Sequence, residues 1–558
     1  MCGLWAYFLR SGRLFDDKSY VMHEPWKHAS ANRGPDKYVE LCGSDYHMCF
    51  HRLAIHDLSP EGDQPFFVEW EDGNTMHLMC NGEIYNYEKI VHDYQLQDKL
   101  ESKSDCEVIV HLLRRFNYDV ARVCKVLQGE FAFVARVEQS SGHVHIYAAR
   151  DTFGVRPLYI GDTAKGVIFS SMLGGITGID PMAKGQHFPP GYAYHECQTD
   201  QTPPEWFSFA DILPTVVSDN IKNKIQKRDS YHRITSTLID AVRVRLSSER
   251  DIGFLLSGGL DSSLVVAIAS KILGMRRPKT FSIGFDKDAP DLVHAREVAK
   301  YLETDHTEVV VSMKDAIKEV PFVIKAIETY DITTVRASTP QYLLARHIAE
   351  NTNVKVIMNG DGSDEVACGY LYNYFAPSPD DAHNDAIRLL SEIHCYDGLR
   401  VDRRLGAHGL EARVPFLDPE YVRAYLSTPS EWRRPSRDPQ NLQMEKRLLR
   451  DAFATLYPDI LPQNVLWRQK EAFSDAVSVK TKSWYQVLKE HIDTTISDTD
   501  FDILKKNYEY LQPISKESYY YRKLFDENFG NLSTTVVPHF WLPQWCDSKE
   551  PSARALAI

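Results

Sequence analysis

The chain opens "MCGLW", which puts a thiol, Cys2, one residue from the terminus. Chain ends fray, so a reactive side chain there calls for a chemical reason. Removal of Met1 supplies one. It frees an α-amine with an ordinary pKa of about 7.7–8.0, able to act as general base for the thiol of the same residue. A thiolate that attacks a carboxamide creates an oxyanion, and "NGEIYN" offers the Asn81 side chain and the Gly82 N–H as donors to it. Free glutamine, an amide bearing a carboxylate and an ammonium group, needs a cation and an anion to grip it. Arg52 in "FHRLAIHD" and Asp105 in "SKSDCE" are the candidates.

A second chemistry lies in "LSGGLDSS", Leu256 to Ser263. Two glycines let the backbone approach an anion, and Ser257, Ser262 and Ser263 add hydroxyls. A helix starting at Asp261 would aim its N-terminus at the same spot. No GxxxxGK[ST] occurs in the chain, so the arrangement for γ-phosphoryl transfer is missing. The acidic loop of "VIMNGDGSDEVACGY" carries Asp361, Asp364 and Glu365, hard oxygen donors suited to Mg²⁺ on a nucleotide's phosphates. Asp261 and Asp364 are the expected ligands. "ETYDITTVRASTPQYL" supplies Thr333, Thr334, Arg336 and Ser338 for a small carboxylate, and "WRQKEAFSD" places Lys470 between aromatics. A lone lysine is by itself only a surface charge.

The elements that must position these residues differ between the two halves. Up to about residue 195, runs such as "HMCFHRLAIHD", "MHLMCNGEIYN" and "FAFVARVEQSSGHVHIYAARD" read as short strands, the last with a Ser-Gly hairpin turn. A helix is expected from Asp105 to Phe116. This half is α+β with antiparallel pairing. A proline-bearing, then charged and polar stretch over 201–228 reads as a linker. Beyond it, Ile234, Leu238 and Val242 recur at helical spacing, and strands "IGFLL", "KTFSIGF", "HTEVVV" and "NVKVIMN" alternate with helices. That alternation predicts an α/β parallel sheet with ligands at the carboxyl ends of its strands. After about residue 385 the reading is largely helical, including the Tyr-rich "SYYYRKLF".

With 558 residues, 43% of them hydrophobic and 25% charged, the chain is long enough for two or more globular domains. A formal net charge of −13 excludes a nucleic-acid grip built on general basicity, so small molecules are the expected partners. No apolar run reaches the roughly 20 residues that span a bilayer, and the start lacks the pattern of a secretory signal, so a cytoplasmic protein is expected. The ten cysteines show no CxxC and no repeated spacing, which suits reduced thiols.

The loop SGGLDSS resembles the pyrophosphate loop of ATP pyrophosphatases. More specifically, "MCGLW", "RGPD", "FHRLAIHD", "GDQP", "NGEIYN", "RDTFGVRPLY", "LSGGLDSSL", "ETYDITTVRAST", "GDGSDE", "HGLEARVPFLD" and "WRQKEAFSD" stand in the order found in glutamine-hydrolysing asparagine synthetases. The resemblance runs from Cys2 to about residue 485, and the tail "PSARAL" is similar too. It implies a four-layer αββα domain of the N-terminal-nucleophile hydrolase type over 1–200. An ATP pyrophosphatase-like synthetase domain with a helical C-terminal part would cover 229–558. The cofactors it implies are ATP and Mg²⁺, and dimers are common among such proteins. The implied reaction releases ammonia from glutamine in the first domain and channels it to the second. There aspartate and ATP give β-aspartyl-AMP and pyrophosphate, and ammonia displaces AMP. By the resemblance Cys2 is the nucleophile, and Arg52, Asn81, Gly82, Glu83 and Asp105 bind glutamine. Leu255 and Ile283 flank adenine, while Ser257, Gly258, Gly259, Leu260, Asp261, Ser262, Ser263, Asn359, Gly360 and Lys470 hold ATP or pyrophosphate. Thr333, Thr334, Arg336 and Asp361 hold aspartate or the intermediate.

The sequence departs from the family pattern in places. The acidic loop, usually SGEGSDE, reads NGDGSDE, so Asn359 replaces Ser and Asp361 sits on a stem one methylene shorter than Glu. Asn32 replaces a common His before RGPD, Ser171–Gly175 lacks the usual SExK, and Ala476 replaces a common Gly. Two other readings compete. One is a relative acting on another carboxylate, as β-lactam synthetases do, although those typically lack the cysteine; the other is a degenerate ATP-binding copy.

Overall fold

The computed structural model describes residues 1–10, 25–177, 179, 184–200, 202–210, 226–440, 442–470, 477–478 and 483–546. Most of the expected linker and Ala476 lie outside the described residues. The first half contains β1 (Gly3–Leu9), β2 (Lys37–Cys42), β3 (Tyr46–Arg52), β4 (Phe66–Glu69), β5 (Thr75–Ile84), β6 (Gly129–Glu138), β7 (Val144–Arg150), β8 (Tyr159–Asp162), β9 (Gly166–Ser170), β10 (Lys184–His187), β11 (Tyr192–Cys197) and β12 (Glu205–Ser208). They form two antiparallel sheets, ordered β10-β8-β9-β1-β3-β2 and β12-β11-β7-β6-β5-β4. β12 falls inside the stretch read as linker and pairs with β11.

Strand alternation explains the layering. Leu4, Ala6 and Phe8 of β1 turn one way and pack with Met79, Ala132 and Val134 of the second sheet. Trp5, Tyr7 and Leu9 turn the other way, into the large core that also contains the second half. β1 is therefore buried on both faces and reads as one apolar run. The outer face of the second sheet is covered by the helices Val108–Arg115 and Val120–Val126. The β6–β7 turn closes through Gln139 N to His143 O at 2.8 Å, with Gly142 at φ 87°, as the Ser-Gly signal predicts.

The second half is built on a parallel sheet of β13 (Asp251–Leu255), β14 (Lys279–Gly284), β15 (Asp305–Val310), β16 (Val354–Met358) and β17 (Glu411–Arg413), ordered β15-β14-β13-β16-β17. Helices Leu260–Ala267, Pro290–Leu302 and Ile332–Asn351 connect the strands. The chain runs outward from β13 to β15, then returns to the other side of β13 with β16, so a crevice opens between β13 and β16 at their carboxyl ends. The later part is helical as expected, with one exception. β17, a three-residue Glu-Ala-Arg strand, carries no hydropathy signal because its charges are neutralised by burial against the other half.

Those charges hold the halves together. Arg33 donates to both oxygens of Asp402 at 2.7 and 3.0 Å, and to the Cys2 carbonyl at 3.0 Å. Arg156, wholly buried, pairs with Glu130 at 3.1 Å and donates to the Ala412 carbonyl at 3.0 Å. Arg413 pairs with Glu83 at 2.9 Å and Glu411 at 2.8 Å, and the Met1 ammonium reaches Glu411 at 3.2 Å. In place of an SExK side chain, the backbone N–H groups of Leu173 and Gly174 donate to Glu328 at 2.7 and 2.9 Å.

Asp402→Ala strands the buried Arg33 guanidinium and is expected to cost about 3–5 kcal/mol of stability. Combining Arg33→Met with Asp402→Leu is expected to recover most of it. Urea unfolding followed by tryptophan fluorescence checks both.

Candidate functional site

Cys2 sits just ahead of β1, with its thiol accepting from Leu53 N at 3.4 Å. Burial pushes that thiol up, while the terminal ammonium and the Leu53 amide work against the shift. β1 touches β5 across the two sheets, and β5 carries Asn81, fully buried with neither amide atom partnered among the described residues. An orphaned buried amide costs about 1–3 kcal/mol, a cost that makes sense where a reaction supplies the partner. Glu83 pairs with His56 at 3.2 Å as well as with Arg413. Burial opposes charge on His56, yet Glu83 raises it to about 9. Asp105 accepts from Ile84 N at 2.5 Å; burial first, then repulsion from Glu83, pushes it up to about 7. An ammonium group arriving there would meet a carboxylate poised to ionise. Arg52 is differently employed from the expectation. It pairs with Asp63 and donates to the carbonyls of Ser59 and Asp57, which fixes the 57–63 loop.

The second site fills the β13/β16 crevice. The phosphate loop follows β13 and the acidic loop follows β16, and Leu255 and Ile283 line the same space. Gly258 has φ 71°, and a Cβ there would lie 2.4 Å from the His294 backbone, so glycine is required. A Cβ on Gly360 would lie 2.8 Å from Ser262 N, which shows how closely the two loops approach. Ser257 and Ser262 share a hydroxyl contact of 3.0 Å, and the buried Ser263 Oγ has no partner among the described residues. Lys446 Nζ lies between Asp261 at 2.5 Å and Asp364 at 2.6 Å, and Lys470 also pairs with Asp364. Burial opposes the charge of Asp364, but the two lysines hold it well below the carboxylate range. Two carboxylates that converge on one cationic atom form a donor set that fits Mg²⁺.

Asp361 is clamped by Arg400 at 2.8 Å and Arg404 at 3.0 Å, which keep it ionised despite burial. Asn359 occupies the site of the missing serine by bonding the Arg413 carbonyl through Nδ2 at 3.3 Å while its Oδ1 accepts from Asp361 N at 3.3 Å. Tyr370 bonds both Glu365, at 2.5 Å, and Asp397, at 2.8 Å. Burial first, then the charge of Asp397, raises Glu365 well above its usual range.

Of the expected aspartate set, Asp361 lines the crevice, while Thr333, Thr334 and Arg336 are not among its lining residues. Arg336 donates to both oxygens of Glu517 at 2.7 and 2.6 Å and stacks over Tyr485. Thr334 is spent on Asp331, the N-cap of its helix, and Thr333 and Ser338 are likewise absent from the crevice lining. The first turn of the helix Ile332–Asn351 faces the helix Lys516–Phe529 instead, a direction that residue types alone do not reveal. Sequence reasoning also missed Lys446, Arg400, Arg404, Tyr370 and Asp397 around the crevice, and His56 in the first site. His56 and Tyr370 lie inside quoted motifs but were given no role there, and Lys446, Arg400, Arg404 and Asp397 stand in stretches for which no motif was read.

A family model described as asparagine synthase matches residues 233–392 and 374–546, and one described as a glutamine amidotransferase domain matches 1–231. The chain is 38% identical to a probable glutamine-hydrolyzing asparagine synthetase of Acanthamoeba polyphaga mimivirus over 100% of both chains. It is 37% identical to the glutamine-hydrolyzing asparagine synthetase of Gallus gallus and 35% to that of Homo sapiens, over 100% of this chain and 98% of each relative. With both halves matched in order and along its full length, the chain belongs to the glutamine-hydrolysing asparagine synthetase family.

Proposed function

We propose that the protein makes asparagine from aspartate, with ATP as activating substrate and glutamine as nitrogen donor. The observation that carries this reading is the meeting of the phosphate loop with the acidic loop at the β13/β16 crevice. The same chain holds a thiol and an unpartnered buried amide in its other half.

In the glutaminase domain, 1–200, removal of Met1 frees the Cys2 amine, which takes the thiol proton. The sulfur attacks the side-chain amide carbon of glutamine, while Asn81 Nδ2 and the Gly82 N–H hold the oxyanion. The nitrogen leaves as ammonia with that proton, and water cleaves the thioester to glutamate. Asp105 and Glu83 receive the substrate ammonium, and Arg52 shapes the far end through the loop it fixes.

The linker 201–228 leads to the synthetase domain, 229–558. There Leu255 and Ile283 flank adenine, and Ser257 to Ser263, Asn359, Gly360 and Lys470 hold the phosphates. A β-carboxylate oxygen of aspartate attacks the α-phosphorus and expels pyrophosphate; ammonia then attacks the acyl carbon and AMP departs. Asp361, kept ionised by its two arginines, is placed to take a proton from the incoming nitrogen. Asp261 and Asp364 would hold Mg²⁺, which when bound neutralises charge on the phosphates. No helix of the described residues is long and apolar enough to cross a membrane, and we place the enzyme in the cytoplasm.

Cys2→Ala is expected to lower glutamine-dependent asparagine formation at least about 1,000-fold while ammonia-dependent formation persists. Loss of both activities would overturn the division of labour. Asp261→Asn is expected to abolish synthesis from either nitrogen donor but to leave glutamine hydrolysis measurable. Product analysis with glutamine or ammonium checks both variants.

A further outcome concerns pH. Asp105 sheds its proton near 7 and grips an ammonium group only when ionised. Glutamine should therefore bind the Cys2→Ala variant roughly 10-fold more tightly at pH 8 than at pH 6. Calorimetry showing a pH-independent Kd would remove Asp105 from the ammonium site.

A further inference from the structure

The outer face of the second antiparallel sheet carries a cluster that neither reaction uses. β7 and β11 pair antiparallel with Cys197 directly opposite His145, so the two side chains share a face with His143 and His195, each two residues along. Donor atoms of His143, His145 and Cys197 all lie within 4.8 Å of one another. Bonds of about 2.0–2.3 Å around a tetrahedral zinc ion bring such atoms to roughly 3.3–3.8 Å, a closure within reach of small side-chain rotations.

The surroundings are those of a metal-bound histidine. His145 Nδ1 lies 3.1 Å from His195 Nε2, and His195 Nδ1 lies 3.2 Å from Glu205 Oε2. With Glu205 accepting from His195 Nδ1, His195 Nε2 accepts the Nδ1 proton of His145, which leaves His145 Nε2 with a lone pair. The His195 ring stacks on Tyr147 at 4.8 Å and is thereby fixed in orientation. A carboxylate behind a ring that in turn orients a ligand ring is the outer-shell arrangement that raises ligand basicity. Cys197 Sγ lies 3.2 Å from the Thr199 hydroxyl, a donor available to a thiolate.

The other cluster of this kind, Glu40, His47 and Cys49, already contains a cation, because Lys27 sits 2.9 Å from Glu40. Among the described residues, no such cation is paired with His143, His145 or Cys197.

We propose that His143, His145 and Cys197 bind a borderline-soft divalent cation, zinc by preference, with His195 and Glu205 positioning His145 and a fourth coordination place open to water. The ion would pin the end of the β6–β7 hairpin to β11, and through Glu205 to β12, where the first half leads into the 211–225 stretch. It would also cover the Cys197 thiol. A thiolate with two imidazoles selects against Mg²⁺, so this site and the nucleotide crevice would not compete for ions.

The test uses the full chain, stripped with EDTA and free of ATP, titrated with zinc against a chromophoric chelator. One zinc per chain is expected, lost in Cys197→Ser and in His145→Ala, retained in Asp261→Asn and His47→Ala, and weakened about 10-fold in Glu205→Gln. On the unmodified protein, cobalt(II) should give a thiolate-to-metal charge-transfer band, and bound zinc should slow alkylation of Cys197 as read by peptide mass spectrometry. Absence of zinc binding, zinc retained by both ligand variants, or a cobalt complex without the thiolate band would overturn the proposal.

Discussion

The buried charges between the halves set the terms for everything else in this molecule. Removing an arginine and a carboxylate from water costs several kcal/mol per ion, and only close pairing returns it. Arg33 with Asp402, Arg245 with Glu130 and Arg413 with Glu83 each take one partner from each half. Either half alone would leave half-neutralised charges facing water, so the docked arrangement is the one in which the chemistry of both sites is defined. The network also joins those sites materially. Arg413 holds Glu83 through its side chain while its carbonyl receives Asn359, and Asn359 in turn receives the amide of Asp361. A few bonds separate Glu83 in the first half from the acidic loop that follows β16.

Electrostatics also divides labour among carboxylates of similar type. Paired cations hold Asp364 and Asp361 low, burial beside Asp397 raises Glu365, and Asp105 is pushed up to about 7. Residue type sets none of this; the neighbours do. The shorter Asp361 is accommodated by arginines on the helix Asp397–Gly406, which come to meet it.

The features legible in the sequence were those with local physical signatures. Strand alternation, the Ser-Gly turn and the strand-loop-helix around Ser257 each depend on a few adjacent residues, and the structure has β5, the β6–β7 turn and the β13 loop where those signals lie. What was missed depends on residues distant in the chain. β17 is a strand because it pairs with β16 while the first half neutralises its charges, and Lys446 reaches the crevice because the loop before its helix turns it there. Thr334 and Arg336 show the converse: side chains suited to a carboxylate that meet Asp331 and Glu517 instead. In that case the motif was informative about ancestry and uninformative about direction.

Arg33 grips the Cys2 carbonyl while its guanidinium is held by Asp402 in the other half. The chain end that ought to fray is thereby tethered to the body of its neighbour. The first half is consequently not a portable cassette. Grafted onto another acceptor enzyme, it would keep its thiol and its amide donors but lose the anchor that aims them, unless the new host supplied a carboxylate at the place of Asp402.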